Sequence, residues 1–495
     1  MSFPTDDEPS LPPARWHWSR EEMRDLGRRV ADAIADYLAD LPEKPVFTPV
    51  PPDVAKAFAS VTPPRTGTPI DELLEEFRRS IAPYPFGNGH PRFHGWVNPP
   101  PHVVGVVASA LAAAMNPSVA GGNHAAVHLE HQVVRWFREL AGFPEASRGL
   151  LVSGGSVATL TALTVARHVA AARGGIDVRA SGLQGHSRRL VLYVGEETHS
   201  CVRKSAELLG IGSNNIRVVP SDDRWRMRVD LLRETLASDL RDGAIPVAVA
   251  ASVGTVNTGA IDPIAELVDL CAEHGVWLHV DGAYGAPAAL LLDRYRDVAA
   301  ALTRVDSLAV DPHKWLYVPV DAGLVLIRDG DAARDAFSLV PPYLRTDDDP
   351  HGVGGPVWFS EYGFDQTRPF RALKVWMMLR YFGVEGYREL IAHDIAMAER
   401  LADTVREHPD LELMAHGLSI VCFRYRPAGT PAGPELDELN RWLLRTLQLG
   451  GRSFLSGTTV RGGFALRACV VNPGTREEDV EALVSEVLST AGPHA

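Results

Sequence analysis

Lysine is scarce in this chain: only five of its 49 cationic residues are lysines, and the other 44 are arginines. Arginine therefore fills the ordinary surface role, and each remaining lysine becomes a stronger candidate for a task that needs an amine. Lys44 and Lys56 lie near prolines, and Lys204 and Lys374 lie within amphipathic helical patterns. Lys314 follows directly after an apolar strand pattern and stands beside a histidine, which makes it the candidate for chemistry.

Cysteine and long apolar runs are rare as well. The four cysteines (Cys201, Cys271, Cys422 and Cys469) form no C-x-x-C pair, which is typical of reduced, mostly buried thiols in a cytosolic protein. The sequence has no charge-free apolar run of about 18 residues, the length that would predict a membrane span. The acidic, proline-rich start is not a signal-peptide pattern. We expect a cytoplasmic protein with no membrane partner.

Positive charge is in deficit, since 62 acidic residues against 49 basic ones give a net charge of −13. This balance argues against a nucleic-acid-binding surface. The 495 residues are 45% apolar and 22% charged, which is typical of soluble globular proteins and excludes a mainly disordered chain or a fibrous repeat. At about 100–200 residues per domain, two or three domains are expected.

The first part of the chain predicts two helices and no compact domain. Ser19 and Glu22 form a capping-box pattern before a run with apolar residues at three- and four-residue steps, and Pro42 ends it. A second amphipathic pattern begins at Pro69, after a proline-rich stretch over 41–69. We expect these helices to pack on the main body of the protein or on a second subunit.

From about residue 149 to 330, short β-branched runs alternate with helical patterns. This alternation predicts an α/β fold with a mainly parallel sheet, whose ligands lie beyond the carboxyl ends of the strands. The predicted strands are Leu190–Val194, Ile216–Val219, Pro246–Val253, Val276–Asp281, Ser307–Val310 and Gly323–Ile327. A helix over 370–407, strands near 418–425 and 464–471 and a last helix from about Thr475 predict a smaller α/β domain.

Four candidate sites lie next to predicted strands. Ser153-Gly154-Gly155-Ser156 precedes a helical pattern, so free backbone N–H groups there suit a phosphate, although a plain loop before a helix has the same pattern. Asp281 ends a buried strand, where a carboxylate either meets a cation or caps the next helix. Lys314 lies in Asp311-Pro312-His313-Lys314, and His199 follows another strand, where a lone histidine is most often a cap.

Together these four sites are the parts needed to hold pyridoxal 5′-phosphate (PLP). A lysine forms a Schiff base with the aldehyde, and an aspartate pairs with the protonated pyridine nitrogen. A helix N-terminus holds the phosphate, and an imidazole stacks on the face of the ring. The combination predicts a PLP enzyme more strongly than any one site does.

The segments that carry these residues closely resemble the group II PLP-dependent amino acid decarboxylases, such as aromatic-L-amino-acid, glutamate, histidine and diaminobutyrate decarboxylases. The resemblance implies fold type I (aspartate-aminotransferase-like) and a homodimer with its active site at the interface. It also implies an N-terminal helical dimerisation arm over 1–95, a large PLP-binding domain over 96–375 and a small α/β domain over 376–495. The matching segments are HPRFHGWVNP (90–99), LVSGGSVATLTALTVAR (151–167), ETHSCVRKSAELLGI (197–211), SVGTVNTGAIDPI (252–264), HVDGAYG (279–285), VDPHKWL (310–316) and FRALKVW (370–376).

Carried over residue by residue, the resemblance makes Lys314 the Schiff-base lysine, Asp281 the partner of the pyridine nitrogen and His199 the stacking histidine. Tyr343 matches a loop tyrosine that acts on the reaction intermediate. The remaining expected cofactor contacts are Gly155, Ser156 and His313 at the phosphate and Ala283 under the ring.

Three positions depart from the family pattern. Gly254-Thr255-Val256 stands where Gly-Thr-Thr is usual, so a hydroxyl near the ring oxygen is either missing or supplied by Thr255. Val157 stands where animal members have a glutamate in the phosphate loop. Asp311 replaces an asparagine, and a further anion beside a phosphate is unfavourable unless it points away or is protonated.

The implied reaction is decarboxylation of an L-amino acid to the amine and carbon dioxide, through a Schiff base with Lys314 and a quinonoid intermediate. Oxidative decarboxylation-deamination to an aldehyde is the alternative, and Tyr343 favours the decarboxylase because aldehyde-forming relatives often replace that tyrosine. By resemblance, Trp96-Val97-Asn98 lines the pocket and favours an aromatic or large apolar substrate. Arg467 either holds the substrate carboxylate or is an exposed structural residue.

Two alternatives come from other classes of protein. His124, His128 and His131 recur at i, i+4 and i+7, a spacing that predicts three imidazoles on one helix face and hence a metalloenzyme, but H-E-x-x-H is absent and we expect no metal. A catalytically silent binding protein with this fold would be expected to lose Lys314 or Asp281, and the chain has both.

Overall fold

The structure is a computed structural model, and it describes residues 16–339 and 351–492. The N-terminal helices α1 (Arg20–Ala39), α2 (Pro52–Ser60) and α3 (Ile70–Glu76) contain no buried residue. The predicted capping box is present, since the Ser19 hydroxyl accepts from the Glu22 N–H and the Glu22 carboxylate accepts from the Ser19 N–H. A short strand, β1 (Phe93–His94), follows.

The remaining helices lie between the strands and after them. No helix of the described ranges is long and apolar enough to cross a membrane. In chain order the helices are α4 (Val103–Met115), α5 (Ala125–Leu140), α6 (Gly155–Arg173), α7 (Cys201–Leu208), α8 (Val229–Arg241), α9 (Ile264–His274), α10 (Ala286–Leu291), α11 (Arg296–Leu302), α12 (Gly330–Phe337), α13 (Ala372–Glu407), α14 (Pro434–Gly450) and α15 (Glu477–Ala491).

The central sheet has seven strands in the order β2-β8-β7-β6-β5-β3-β4. Five neighbouring strands run parallel, and β8 pairs antiparallel with β2 and β7, so the predicted mainly parallel α/β sheet is confirmed. Helices cover the sheet, which is why β3, β7 and β8 are buried along their whole length. The strands are β2 (Arg148–Val152), β3 (Leu190–Gly195), β4 (Ile216–Val219), β5 (Ile245–Ser252), β6 (Trp277–Asp281), β7 (Ser307–Val310) and β8 (Gly323–Ile327).

A second sheet has the order β1-β11-β12-β10-β9 and packs against the end of α13, α14 and α15 around a core of its own. It contains two strands that the sequence analysis did not predict, β9 and β11. It also takes β1 from the chain before residue 95, paired parallel to β11. The domain boundaries themselves stay a prediction. The strands are β9 (Leu411–Gly417), β10 (Ile420–Tyr425), β11 (Phe454–Val460) and β12 (Gly463–Cys469).

Helix α13 contributes to both hydrophobic cores. Val375 and Met378 belong to the core around the central sheet, and Ala398 and Leu401 belong to the core of the second sheet. Gly383 interrupts the helix with a φ of 66°, a left-handed conformation that favours glycine. This helix therefore links the two sheets that enclose the site described next.

Candidate active site

A cavity of about 550 Å³ lies at the carboxyl ends of the central strands and is closed on its other side by the second sheet. Tyr343 lies outside the described residues. The cavity wall includes all the other predicted site residues, namely Gly155, Ser156, His199, Thr255, Asp281, Ala283, Asp311, His313 and Lys314. Parallel strands bring these residues together because their carboxyl ends meet at one edge of the sheet.

The glycine loop forms one wall of the cavity at the N-terminus of the 19-residue helix α6. A Cβ atom at Gly155 would lie 2.9 Å from Ala283 Cβ and 3.0 Å from Asp311 Oδ2, so a side chain is excluded there. A Cβ at Gly323 would lie 2.5 Å from Gly154 Cα, so the loop is also packed tightly from behind. This close packing leaves the backbone at the positive end of the helix dipole facing the cavity, an arrangement that suits a phosphate.

The amine of Lys314 lies in the same cavity, and its Nζ is 3.0 Å from Asp311 Oδ2. Burial by itself lowers the pKa of Lys314, but the carboxylates of Asp311 and Asp281 outweigh it, and the pKa is raised above its usual value. Asp311 Oδ1 is buried without a hydrogen-bond partner among the described residues. Asp311 is therefore the ion-pair partner of the lysine and keeps one oxygen uncommitted.

His313 lies between the lysine loop and the glycine loop. A Cβ at Gly154 would be 3.2 Å from His313 Cε1, and His313 Nδ1 lies 2.7 Å from the Ala322 oxygen and 3.1 Å from the Ala322 nitrogen. Burial lowers the pKa of His313, with Asp311 opposing the effect. The ring is thus held at the edge of the predicted phosphate position.

Asp281 and His199 lie next to each other, together with Cys201, and the possible ligand atoms of the three residues are within 4.8 Å of one another. Asp281 Oδ1 accepts from the Ala283 N–H at 3.1 Å, which orients the carboxylate at the end of β6. His199 Nδ1 accepts from the Cys201 N–H at 3.2 Å, which assigns the ring proton to Nε2. Burial lowers the pKa of His199, although Asp281 opposes it. The structure therefore brings a carboxylate and a neutral imidazole together in the cavity.

Thr255 lies in the wall, but its hydroxyl is engaged within its own turn. Its Oγ1 is 2.9 Å from Thr258 Oγ1 and accepts from the Ala260 N–H at 3.0 Å. Val256, which departs from the family pattern, is partly exposed and also lines the cavity. The Thr255 hydroxyl therefore stabilises the backbone turn that forms this wall of the cavity.

Arg467 is buried, so the expectation that it is an exposed structural residue is wrong. It lies on β12, in the sheet that closes the cavity. Among the described residues, no carboxylate lies within salt-bridge distance of its guanidinium. Its guanidinium donates to backbone oxygens of Trp96 and Val256 at 3.1 and 2.9 Å and to Ser456 Oγ at 3.3 Å. Arg467 thus ties two loops of the cavity wall together and brings an unneutralised positive charge to it.

The predicted histidine cluster is not assembled. His128 Nε2 lies 2.8 Å from Asn123 Oδ1, whereas His131 stacks on Phe359 with 4.3 Å between ring centroids. Burial lowers the pKa of His131 to about 4. His199, Cys201 and Asp281 are the one group with three clustered metal-ligating atoms in the described ranges, and these belong to the cavity just described. The spacing of the three histidines therefore reflects the packing of α5, which buries one of its faces, and not a metal site.

Several cavity residues were missed from sequence. Cys201 was interpreted only as a buried thiol, although it follows His199 by two positions at the start of α7. Ser456 and Gly457 enter the wall from β11, a strand whose β-branched run Thr458-Thr459-Val460 was a usable signal.

One wall of the cavity is aromatic. Trp96 has a φ of 49° and packs on Phe86 and Phe454, with ring centroids 4.9 and 5.6 Å apart. Trp96 and Val97 both line the cavity. This wall therefore offers flat apolar surface to a bound molecule.

The residues present fit pyridoxal 5′-phosphate. The glycine loop excludes side chains at a helix N-terminus, Lys314 supplies an amine, and Asp281 supplies an oriented carboxylate. His199 adds a neutral imidazole on the same cavity. The anion site, the amine and the carboxylate are three separate chemical requirements of this cofactor, and one cavity meets all of them.

Comparisons with known proteins agree with this geometry. The family described as "Pyridoxal-dependent decarboxylase conserved domain" matches residues 52–426. The chain is 34% identical over 476 residues to an aromatic-L-amino-acid decarboxylase of Bacillus atrophaeus, covering 96% of each chain. It is 29% identical over 474 residues to a phenylacetaldehyde synthase of Arabidopsis thaliana, covering 93% of this chain and 94% of that protein. The crystal structure of Oryza sativa TDC with PLP and tryptamine is similar, with a TM-score of 0.89, 27% identity and coverage of 98% of this chain and 100% of that one.

Proposed function

Since this chain belongs to the family of pyridoxal-dependent decarboxylases, we propose that it decarboxylates an aromatic L-amino acid in the cavity at the carboxyl edge of the central sheet. The chain is a PLP-dependent amino acid decarboxylase. The aromatic substrate, the roles of single residues and the homodimer are the proposal. The observation that carries it is the meeting of Lys314, Asp281 and the α6 N-terminus in one cavity with an aromatic wall.

Each of these groups has a distinct task towards the cofactor. When bound, pyridoxal phosphate supplies an aldehyde for an amine and a ring that accepts negative charge from the substrate Cα. The α6 N-terminus, with Gly155, Ser156 and His313, would hold the phosphate. Asp281 would keep the proton on the pyridine nitrogen, because a carboxylate next to that nitrogen raises the pKa of the nitrogen. Ala283 and His199 would hold the ring from its two faces.

Lys314 must lose a proton before its Nζ can bond to carbon, and its raised pKa keeps that proton in place until an acceptor takes it. The Asp311 carboxylate at 3.0 Å stabilises this protonated form and orients the amine in the cavity. Asp311 therefore serves the lysine amine, which explains why an anion is tolerated so near the phosphate loop.

The opposite wall selects and orients the substrate. Trp96 and Val97 offer an apolar surface to the side chain, and Arg467 supplies the positive charge that draws the α-carboxylate into the cavity. Arg467 also donates to the backbone oxygens of Trp96 and Val256. These hydrogen bonds fix the position of the positive charge relative to the apolar wall.

The last step is protonation of the substrate Cα after carbon dioxide has left. By resemblance Tyr343 delivers this proton, and the Nε2–H of His199 is the next donor in the cavity. Aldehyde formation is the second candidate reaction, because a phenylacetaldehyde synthase is among the similar proteins.

A homodimer is supported by the apolar side chains that the N-terminal part of the chain leaves exposed. On α4 four apolar residues follow one another at four-residue spacing and are 47–57% exposed. A stripe of this kind is typical of a helix face that packs against another chain. We call it the α4 stripe, and it consists of Val103, Val107, Leu111 and Met115.

A panel of twenty L-amino acids, assayed for carbon dioxide, amine and hydrogen peroxide, tests the proposed reaction. We expect carbon dioxide and amine in equal amounts from tryptophan, tyrosine or phenylalanine, and no peroxide. Preference for an acidic amino acid would contradict the proposed substrate class, and peroxide in amounts equal to carbon dioxide would favour the aldehyde-forming reaction.

A further inference from the structure

A fully buried carboxyl group, that of Asp394 on α13, lies behind the lysine loop and away from the cavity wall. Its Oδ2 accepts from Trp315 Nε1 at 2.8 Å and from the Tyr317 hydroxyl at 2.7 Å. Its Oδ1 has no hydrogen-bond partner among the described residues. A single oxygen of Asp394, on the helix that links the two sheets, thus accepts two hydrogen bonds from the lysine loop.

The two donors, Trp315 and Tyr317, follow Lys314 one and three positions later in the same loop. The loop turns tightly here, because the Lys314 N–H donates to the Asp311 oxygen at 2.9 Å and the Tyr317 N–H donates to the Lys314 oxygen at 3.1 Å. Tyr317 has a φ of 54°, in the left-handed region that residues with a Cβ rarely adopt. A tyrosine in this conformation needs contacts that hold it, and its hydroxyl is held by Asp394.

Trp315 also connects Asp394 to the cavity wall. The Trp315 ring stacks on Tyr284, with centroids 4.8 Å apart, and Tyr284 lines the cavity. The Tyr284 hydroxyl is 2.6 Å from Ser419 Oγ on the second sheet side. Asp394 therefore lies at the base of a packed column, formed by Trp315 and Tyr284, that ends at the cavity.

The carboxyl group is an unfavourable choice for this place if only packing is considered. Burial raises the pKa of Asp394 to about 8, and the two donors only partly oppose the effect. An apolar side chain of similar size would fill the volume without the cost of burying a carboxyl group. What the apolar side chain lacks is an acceptor for the two donors of the lysine loop.

We propose that Asp394 is a positioning residue, whose Oδ2 fixes the loop Asp311–Tyr317 through Trp315 and Tyr317 and thereby holds the Lys314 amine at the cofactor position. The inference rests on the proposed role of Lys314. It makes retention of the cofactor depend on a residue of α13 that lies outside the cavity.

The test compares four variants of the holoenzyme. Asp394→Leu removes the acceptor at similar volume, Asp394→Asn keeps one carbonyl oxygen, and Tyr317→Phe removes one donor. Asp239→Asn is the control for a loss of stability away from the cavity, since Asp239 is a buried helical aspartate that accepts from the Tyr193 hydroxyl at 3.2 Å, pairs with Arg217 at 2.9 Å and does not line the cavity. For each variant we measure the rate of cofactor release into a cofactor trap and, separately, unfolding of the cofactor-free protein.

We expect cofactor release to be about tenfold faster in Asp394→Leu, because buried donors that lose their acceptor no longer fix the loop. Asp394→Asn should release the cofactor more slowly than Asp394→Leu, which shows rescue by the conservative change. Tyr317→Phe should also speed cofactor release, but by less than Asp394→Leu does, because it removes only one of the two donors to Asp394. Asp239→Asn should lower stability without changing the release rate.

Release at the wild-type rate from Asp394→Leu, or from Asp394→Asn and Tyr317→Phe if the leucine variant does not fold, would overturn the inference. So would a release rate that simply follows stability in all variants, the Asp239 control included. The proposed role of Lys314 is tested apart from this, by borohydride reduction of the wild-type holoenzyme and mapping of the modified lysine. An adduct on another lysine would overturn that role, whatever the variants at Asp394 show.

Discussion

The cavity wall and the α4 stripe break the usual rule of burial in opposite directions. At the cavity, Asp311 and Arg467 are only 1% and 4% exposed although both carry charge. On α4, Val107 and Leu111 are 49% and 50% exposed although both are apolar. Soluble domains normally bury the second kind of residue and expose the first.

The difference shows which kind of partner each region is built for. Buried charge is costly unless it is paired, and the cavity pairs Lys314 with Asp311 at 3.0 Å while leaving one oxygen of Asp311 uncommitted. Exposed apolar area costs about 25 cal/mol for each Å² that stays in water, which favours a protein surface as its cover. The cavity is therefore suited to a charged small molecule, and the α4 stripe to the surface of another protein chain, which in our proposal is a second copy of this one.

The largest effect is expected from removing the amine of the cavity. Lys314→Ala should abolish amine formation and the borohydride-reducible cofactor adduct, because no other amine lines the cavity in the described residues. Mass spectrometry after reduction checks this prediction, with Lys204→Ala, a change on the exposed face of α7, as the control. An adduct mapped to one of the other four lysines would contradict it.

Neutralising the carboxylate of the cavity should have the next largest effect. Asp281→Asn keeps the size of the side chain but removes the charge that raises the pKa of the pyridine nitrogen. Turnover should fall by several powers of ten, roughly 10³-fold or more if most of the charge stabilisation is lost. Steady-state rates and cofactor affinity should be measured together, and turnover at the wild-type rate would show that the carboxylate is only structural.

Tyr343 lies outside the described residues, and the prediction for it comes from the family resemblance. Tyr343→Phe should leave cofactor binding nearly intact while amine formation falls by about a hundredfold, the usual contribution of a general acid. Carbon dioxide, aldehyde, ammonia and hydrogen peroxide should be formed in its place from substrate, oxygen and water. Product analysis under air and under nitrogen tests this, and amine formed at the parent rate would assign the proton to another donor such as His199.

The α4 stripe is tested by placing charge on it. The double variant Val107→Glu and Leu111→Glu should weaken dimerisation by about a hundredfold, since burying two unpaired carboxylates in an interface is unfavourable. Sedimentation velocity over a range of concentrations measures the change. Val218→Glu is the control, because Val218 is an exposed valine on β4, away from α4. Equal dimerisation of the two proteins would place the interface elsewhere.

The smallest expected effect is a pH dependence of protein stability caused by Asp394. This carboxyl group is buried in the core, whereas those of Asp281 and Asp311 line the cavity. Burial raises its pKa to about 8 in the folded protein, above its ordinary value of about 3.9, so the folded state prefers the neutral form. The stability of the cofactor-free protein should therefore fall as pH rises from 6 to 8, by at most about 1.4 kcal/mol per pH unit from this group.

The pH dependence can be assigned with one variant. Asp394→Asn does not ionise, so the loss of stability between pH 6 and pH 8 should be smaller in that variant. The other titratable groups acting on this carboxyl are the Tyr317 hydroxyl and the Cys469 thiol, and burial raises the pKa of both, so they stay neutral over this range. Urea denaturation at the two pH values measures the difference, and equal slopes in the two proteins would contradict the assignment.

The two regions also differ in how far sequence reasoning reached them. Asp281, Lys314 and His199 were found because the strand patterns that precede them are short, apolar and β-branched, and parallel strands place ligands at their carboxyl ends. Ser456 and Gly457 were missed because they interrupt the apolar and β-branched residues of β11, which weakens the pattern of that strand. The α4 stripe was missed because α4 is apolar nearly all round, and such a pattern does not show which face is buried.

The sequence by itself determined the mainly parallel α/β sheet, the identity of the cofactor and the predicted site residues that line the cavity. Local periodicity and residue type were enough for the sheet and for Lys314, Asp281 and His199, because hydrogen bonding within the sheet fixes which strand ends meet. Thr255 and Ala283 came from the family resemblance. Only the tertiary structure decided that Arg467 is buried, that Asp311 pairs with Lys314 and that Asp394 lies behind the lysine loop. These contacts join residues from different elements, and their energies depend on distance and burial, which the spacing of residues along a chain does not specify.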